Sequence, residues 1–140
     1  MSTGFENERQ NIEEEFVAGW TSATTPIKFE NVNGLVSGTD MLKEEKGLTQ
    51  WCRITILNAA SSNMVIGGTT VRHAGDIIVN VWVKSGTGTD AVRELCDDVY
   101  DIFNNANFDG IQCHSSYVTT EGDVEGWFQM TVSTPYTRDQ

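Results

Sequence analysis

Three groups of residues in this chain have types and spacings that could do chemistry. The first is Gly86-Thr87-Gly88-Thr89-Asp90-Ala91, which fits the pattern GxGxxA between an apolar run at 77–83 and an amphipathic segment. At such a strand-to-helix turn, backbone N–H groups can hold a pyrophosphate. Asp90 opposes that use, because a carboxylate in the first helical turn already complements the helix dipole and repels a phosphate. The site also lacks the Lys and Ser/Thr arrangement of a P-loop. The next carboxylate at about the right spacing, Asp109, precedes a strand instead of ending one. The expectation is therefore a flexible connection capped by Thr89, with no cofactor.

The second group is Glu94, Asp97, Asp98 and Asp101, which could hold a hard cation or supply a pair of acid–base carboxylates. Their spacing puts them on the solvent side of a helix, where carboxylates form a hydrated surface. The third group is His73, His114, Cys52, Cys96 and Cys113. The histidines lie in separate strand segments, and Cys113 and His114 are strand neighbours that point to opposite faces and cannot chelate together. Three widely spaced cysteines in apolar stretches read as reduced core thiols. No Ser, Cys or Thr lies beside a His with an orienting acid in a recognisable motif. No catalytic, metal-ligating or cofactor-binding residue is expected, and the chain is not read as an enzyme.

The elements that would position these residues follow from periodicity. Thr3 and Glu6 form a capping box ahead of a helix at 5–20, whose Phe5, Ile12, Phe16 and Trp20 share one side. Glu8 and Arg9 leave a polar gap in that stripe, so the helix is expected at the edge of the core, with the Arg9 stem covering apolar surface and Glu13, Glu14 and Glu15 solvated. Residues 27–32 alternate as a short half-buried strand. From 33 to 50 no period survives, although Thr39 to Gly47 could close one helical turn. In a strand at 51–57, Cys52, Ile54 and Ile56 face inward, opposite Trp51, Arg53, Thr55 and Leu57. Gly67-Gly68 turns a hairpin between 63–66 and 69–73.

Residues 77–83 are apolar on both faces and should form the central strand. Val92, Leu95, Cys96, Val99, Ile102 and Phe103 make the stripe of the main core helix. Strands at 111–118 and 124–134, joined by a turn at 120–123 and ended by Pro135, close the chain. The sum is α+β, a single domain over 1–140 with a mixed, mostly antiparallel sheet and two main helices packed on it.

At 140 residues, with 39 % apolar residues and two prolines, the chain is sized and composed for one globular core. No apolar run approaches the roughly 20 residues that span a bilayer, so no membrane partner is expected. The start MSTGFENERQ has no apolar secretory core, so the expectation is a protein that stays in the cytoplasm of the cell that makes it. Twenty Asp and Glu against nine Lys and Arg leave a net charge of −11. That charge repels nucleic acid, keeps a subunit dissolved before assembly, and could line a channel through which DNA slides without sticking.

Four stretches taken together point further: Ile27-Lys28-Phe29-Glu30-Asn31-Val32; Trp51-Cys52-Arg53-Ile54-Thr55-Ile56; Val79 to Val83 followed by Ser85-Gly86-Thr87-Gly88-Thr89; and Gly126-Trp127-Phe128-Gln129-Met130-Thr131-Val132-Ser133-Thr134-Pro135-Tyr136. Their order over nearly the whole chain resembles the tail terminator proteins of long-tailed bacteriophages. The segment at 33–50 departs from that family by its length and charge. The resemblance implies a virion protein, assembled in the host cytoplasm as a homo-oligomeric, usually six-fold ring. Its partners would be the tail tube protein and the head connector, with DNA passing through without specific binding. It would cap the head-proximal end of the tube, end tail elongation and join the tail to the head. Met41, Leu42, Lys43, Glu44, Glu45, Lys46 and Leu48 are the candidate protein interface, apolar anchors among charges that set register. The alternatives are a head-completion or stopper protein of the neck, and a small acidic enzyme or ligand-binding domain.

Overall fold

The computed structural model describes residues 4–20, 27–28, 50–59, 62–63, 71–86, 88–124 and 126–139. The chain runs through α1 (Phe5–Gly19), β1 (Ile27–Lys28), β2 (Gln50–Asn58), β3 (Ser62–Asn63), β4 (Val71–Lys84), α2 (Asp90–Phe103), β5 (Asn107–Phe108), β6 (Ile111–Cys113), β7 (Tyr117–Val124) and β8 (Trp127–Asp139). One sheet in the order β1-β2-β4-β8-β6-β5 holds the strands together, with β3 also paired to β4 and β7 to β8. β1 runs parallel to β2, and every other pairing is antiparallel. This is the expected α+β class.

β4 is hydrogen-bonded along both edges, to β2 and to β8. Its alternation sends Ile77, Val79, Val81 and Val83 to one face, where they meet Ile12 and Phe16 of α1 and Val92, Leu95, Cys96, Val99 and Phe103 of α2 in one buried cluster. The Phe16 and Phe103 rings lie 5.8 Å apart at the helix contact. Gly19 lets the helices close, since a Cβ there would stand 2.8 Å from Ile102.

The sequence implies a break between strands at 69–73 and 77–83, whereas β4 runs unbroken over 14 residues. Gly75 explains the misreading: it is a close-approach glycine, because a Cβ would sit 2.5 Å from the Leu57 carbonyl oxygen and 2.7 Å from the Tyr136 hydroxyl. Asn58 faces Gly75 while Ser62 faces Arg72, so β2 and β3 follow the same edge of β4 with one extra residue between them. The backbone of β3 returns antiparallel onto β4, as a hairpin requires, and Gly67-Gly68 lies outside the described residues.

Three further expectations are corrected. The turn expected at 120–123 lies inside β7, where the register shifts between Thr120 and Gly122; the hairpin closes at Gly126, whose φ of 88° suits glycine. Pro135 does not end β8, which continues to Asp139. The Pro135 carbonyl accepts from the His114 N–H at 2.8 Å, so the missing proline N–H faces the same side, in the gap between β6 and β7 where no ladder partner is needed. The N-cap of α1 is Gly4, without a side-chain cap bond. The Glu6 carboxylate is held by Arg9 at 2.7 Å, and Thr3 lies outside the described residues.

The strand expected at 27–32 is described only over Ile27–Lys28. The segment at 33–49, with its expected turn and the candidate interface Met41, Leu42, Lys43, Glu44, Glu45, Lys46 and Leu48, lies outside the described residues, and Gln50 already belongs to β2.

Val99 is fully buried in the cluster and Asp97 is exposed on the same helix. Val99→Asp places a carboxylate where no partner waits, at a cost of several kcal/mol against a typical total stability of roughly 5–15 kcal/mol. Circular dichroism and melting should find that variant unfolded or insoluble. Asp97→Asn should stay within about 0.5 kcal/mol of the parent, and the reverse ranking would overturn the orientation of α2.

Candidate functional site

The face of the sheet turned away from both helices follows from strand parity. Trp51, Arg53, Thr55 and Leu57 of β2 lie opposite Trp82, Asn80, Ile78 and Asp76 of β4. The next strand places Trp127, Gln129, Thr131 and Ser133 opposite Lys84, Trp82, Asn80 and Ile78. Three of the chain's four tryptophans therefore share one surface. Trp51 and Trp82 stack with centroids 4.1 Å apart and planes 13° from parallel, and Trp127 meets Trp51 edge-on at 6.4 Å.

Two cations cover these rings, the Arg53 guanidinium 5.2 Å above Trp82 and the Lys84 ammonium 5.6 Å from Trp127. Each such contact is worth about 0.5–1 kcal/mol when exposed. Beneath them, Asn80 Oδ1 accepts from Thr131 Oγ1 at 2.8 Å and Gln129 Nε2 at 3.2 Å. Trp51 Nε1 and Arg53 Nε are buried without a hydrogen-bond partner among the described residues. Leu57 and Tyr117, on the same face by register, are 50 % and 53 % exposed. The sequence separates Trp51, Arg53 and Leu57 from the core face, but their union with Trp82 and Trp127 depends on inter-strand register.

The helix-covered face holds a buried ion pair. Arg138 Nε donates to Glu8 Oε1 at 2.9 Å, and the two residues are 5 % and 2 % exposed. Asn58 Nδ2 donates to Glu8 Oε2 at 2.9 Å and approaches the Tyr136 hydroxyl at 3.3 Å. The Phe5 ring lies 5.6 Å from the Arg138 guanidinium and meets His73 edge-on. Burial pushes the Tyr136 hydroxyl pKa up, and the neighbouring Glu8 carboxylate adds to the shift.

The expected polar gap at Glu8 is thus a core position, while Phe5 is 53 % exposed. The signal was present, since Glu8, Ile12 and Phe16 recur every four residues on one helix face. Arg9 pairs with Glu6 and Glu13, leaving Glu13 half-buried rather than solvated.

The residues singled out for chemistry are not brought together. Gly86 and Gly88 have φ of 88° and 84°. Ser85, at the start of that connection, bonds the β7–β8 hairpin, its N–H to the Gly126 carbonyl at 3.0 Å and its hydroxyl to the Asp123 carboxylate at 2.7 Å. Thr89 occupies the cap position of α2 without a side-chain cap bond, which corrects the expected role of its hydroxyl. Glu94, Asp97 and Asp101 are exposed, and Asp98 is half-buried. His114 Nε2 lies 3.5 Å from Thr137 Oγ1. Burial raises all three thiols, Cys96 to about 11, Cys113 to about 12 and Cys52 further still. Among the described residues, no three His, Cys, Asp or Glu side chains gather as metal ligands would.

No family model and no curated protein matches this chain. Among solved structures it is similar to a protein whose name states no function, with a TM-score of 0.66 and 14 % identity over 99 % of this chain and 97 % of that one. At that identity the likeness shows the fold alone.

Two predictions follow from this geometry. Glu8→Met or Arg138→Met should each cost about 3–5 kcal/mol, because either leaves an uncompensated buried charge, whereas the two changes together should cost clearly less than the two single losses summed. A double-mutant cycle in urea measures this, and additive losses would contradict the coupling. Purified protein should carry no nucleotide and bind no duplex DNA tightly at physiological salt, given its net charge of −11. Stoichiometric nucleotide on purification, or a salt-sensitive submicromolar DNA complex, would overturn the second prediction.

Proposed function

We propose that this chain is a structural subunit of the tail terminator type, which assembles as a ring on the head-proximal end of a phage tail tube, ends tube growth and joins the tail to the head connector. The observation that carries the reading is the sheet face opposite the helices, where Trp82, Trp127, Leu57 and Tyr117 lie among Arg53 and Lys84. Half-buried Trp82 and Trp127 on one face with the exposed Leu57 and Tyr117, and two cations among them, suit contact with another protein surface. The strongly acidic balance supports the same reading. It keeps an unassembled subunit dissolved and gives a passing DNA duplex nothing to adhere to. Among the described residues, a first helix, a short strand, two long paired strands, a second helix and a closing hairpin follow one another as in the order on which the family resemblance rests, with β5 and β6 added before the hairpin.

On this reading Met41, Leu42 and Leu48 are anchors for the tube or a neighbouring subunit. In a phage encoding Met41→Ser, Leu42→Ser and Leu48→Ser together, electron microscopy should show overlong tails or tails that fail to join heads, while the purified variant melts like its parent. Filled heads that leak DNA beside tails of normal length would indicate a head-completion role instead. Infectious particles with normal tails would remove the docking role of these residues.

A further inference from the structure

α2 turns Val92, Leu95, Cys96, Val99 and Phe103 into the sheet, so helical geometry sends Asp90, Glu94, Asp97 and Asp101 directly away from it. All four carboxylates are exposed and form a row about 16 Å long at 1.5 Å per residue. On the opposite side of the molecule, Arg53 is paired in register with Asn80, and Lys84 lies four residues farther along β4, about 13 Å away at the usual strand rise. In a chain of net charge −11 these two cations sit over tryptophan rings on a face that neither helix covers.

From this match of sign, on a carboxylate row long enough to span both cations, we infer that the tryptophan face of one copy docks on the acidic face of α2 in a second copy. Arg53 and Lys84 meet the carboxylate row, and Trp82 and Trp127 supply the apolar contact area. The two surfaces are different and lie on opposite sides of a two-layer molecule, so the contact is heterologous and repeats from copy to copy, closing a ring where its rotation allows. The inference deepens the assembly reading and rests on it by naming the face that each subunit offers its neighbour.

Sedimentation of purified protein separates this contact from the tail function. The parent chain should assemble beyond a single copy. A chain with Asp97→Lys and Asp101→Lys should sediment as a monomer, and so should one with Arg53→Glu and Lys84→Glu, each with a melting curve like the parent's. Mixed in equal amounts, the two variants should recover the parent's mass, because each reversed face then meets its complement.

If the Arg53 change disturbs folding, Lys84→Glu alone provides the second surface variant. A monomeric parent, variants that assemble like the parent, or a mixture that stays monomeric would each overturn the contact. Filled heads that leak DNA beside tails of normal length in the anchor-substituted phage would count against the tail reading while leaving this contact standing.

Discussion

The rest of the structure depends on the need of β4 to be covered. A strand bonded on both edges has no backbone group left for water, and its alternating faces carry Ile77, Val79, Val81 and Val83 on one side and Ile78, Asn80 and Trp82 on the other. The first side is closed by α1 and α2, whose apolar stripes have matching helical periods. The second is closed by tryptophan against tryptophan with cations above, and beneath them Gln129 and Thr131 both donate to Asn80 Oδ1. The two solutions differ in kind. The helix side is an apolar core that takes in one buried ion pair, whereas the other is an amphipathic surface that can be solvated or be held by a neighbour.

The Glu8–Arg138 pair joins α1 to the last strand across 130 positions of sequence. Removing two charges from water is costly, and the pair stands because Asn58 serves the second carboxylate oxygen and the Phe5 ring flanks the guanidinium. Its value is positional as much as energetic. It sets where α1 crosses the sheet, so Ile12 and Phe16 enter the cluster while Phe5 stays near the surface.

Part of the surface charge follows the same axis as packing. The carboxylates of α2 face outward on one side, and Arg53 and Lys84 occupy the other, with each set kept out of the core by the parity of the element that carries it. A small acidic chain whose helices α1 and α2 cover one face of its sheet is suited to existing as one unit among several, and the assembly reading draws its support from that physical character.

The sequence by itself determined what local periodicity can encode: the α2 stripe, the apolar centre of β4, the inward Cys52, Ile54 and Ile56, and the α+β class. Side-chain direction repeats every 3.6 or 2 residues whatever the chain later meets. It misjudged Glu8, Gly75 and Pro135, each a residue whose local preference is overruled by a distant partner: Arg138, the Tyr136 hydroxyl, and the gap between β6 and β7. Only the tertiary structure decided that Trp51, Trp82 and Trp127 form one surface. Strand register joins residues from three separate strands, and register is set by the burial of the opposite face. The apolar residues that point inward are therefore the ones that place the tryptophans outward.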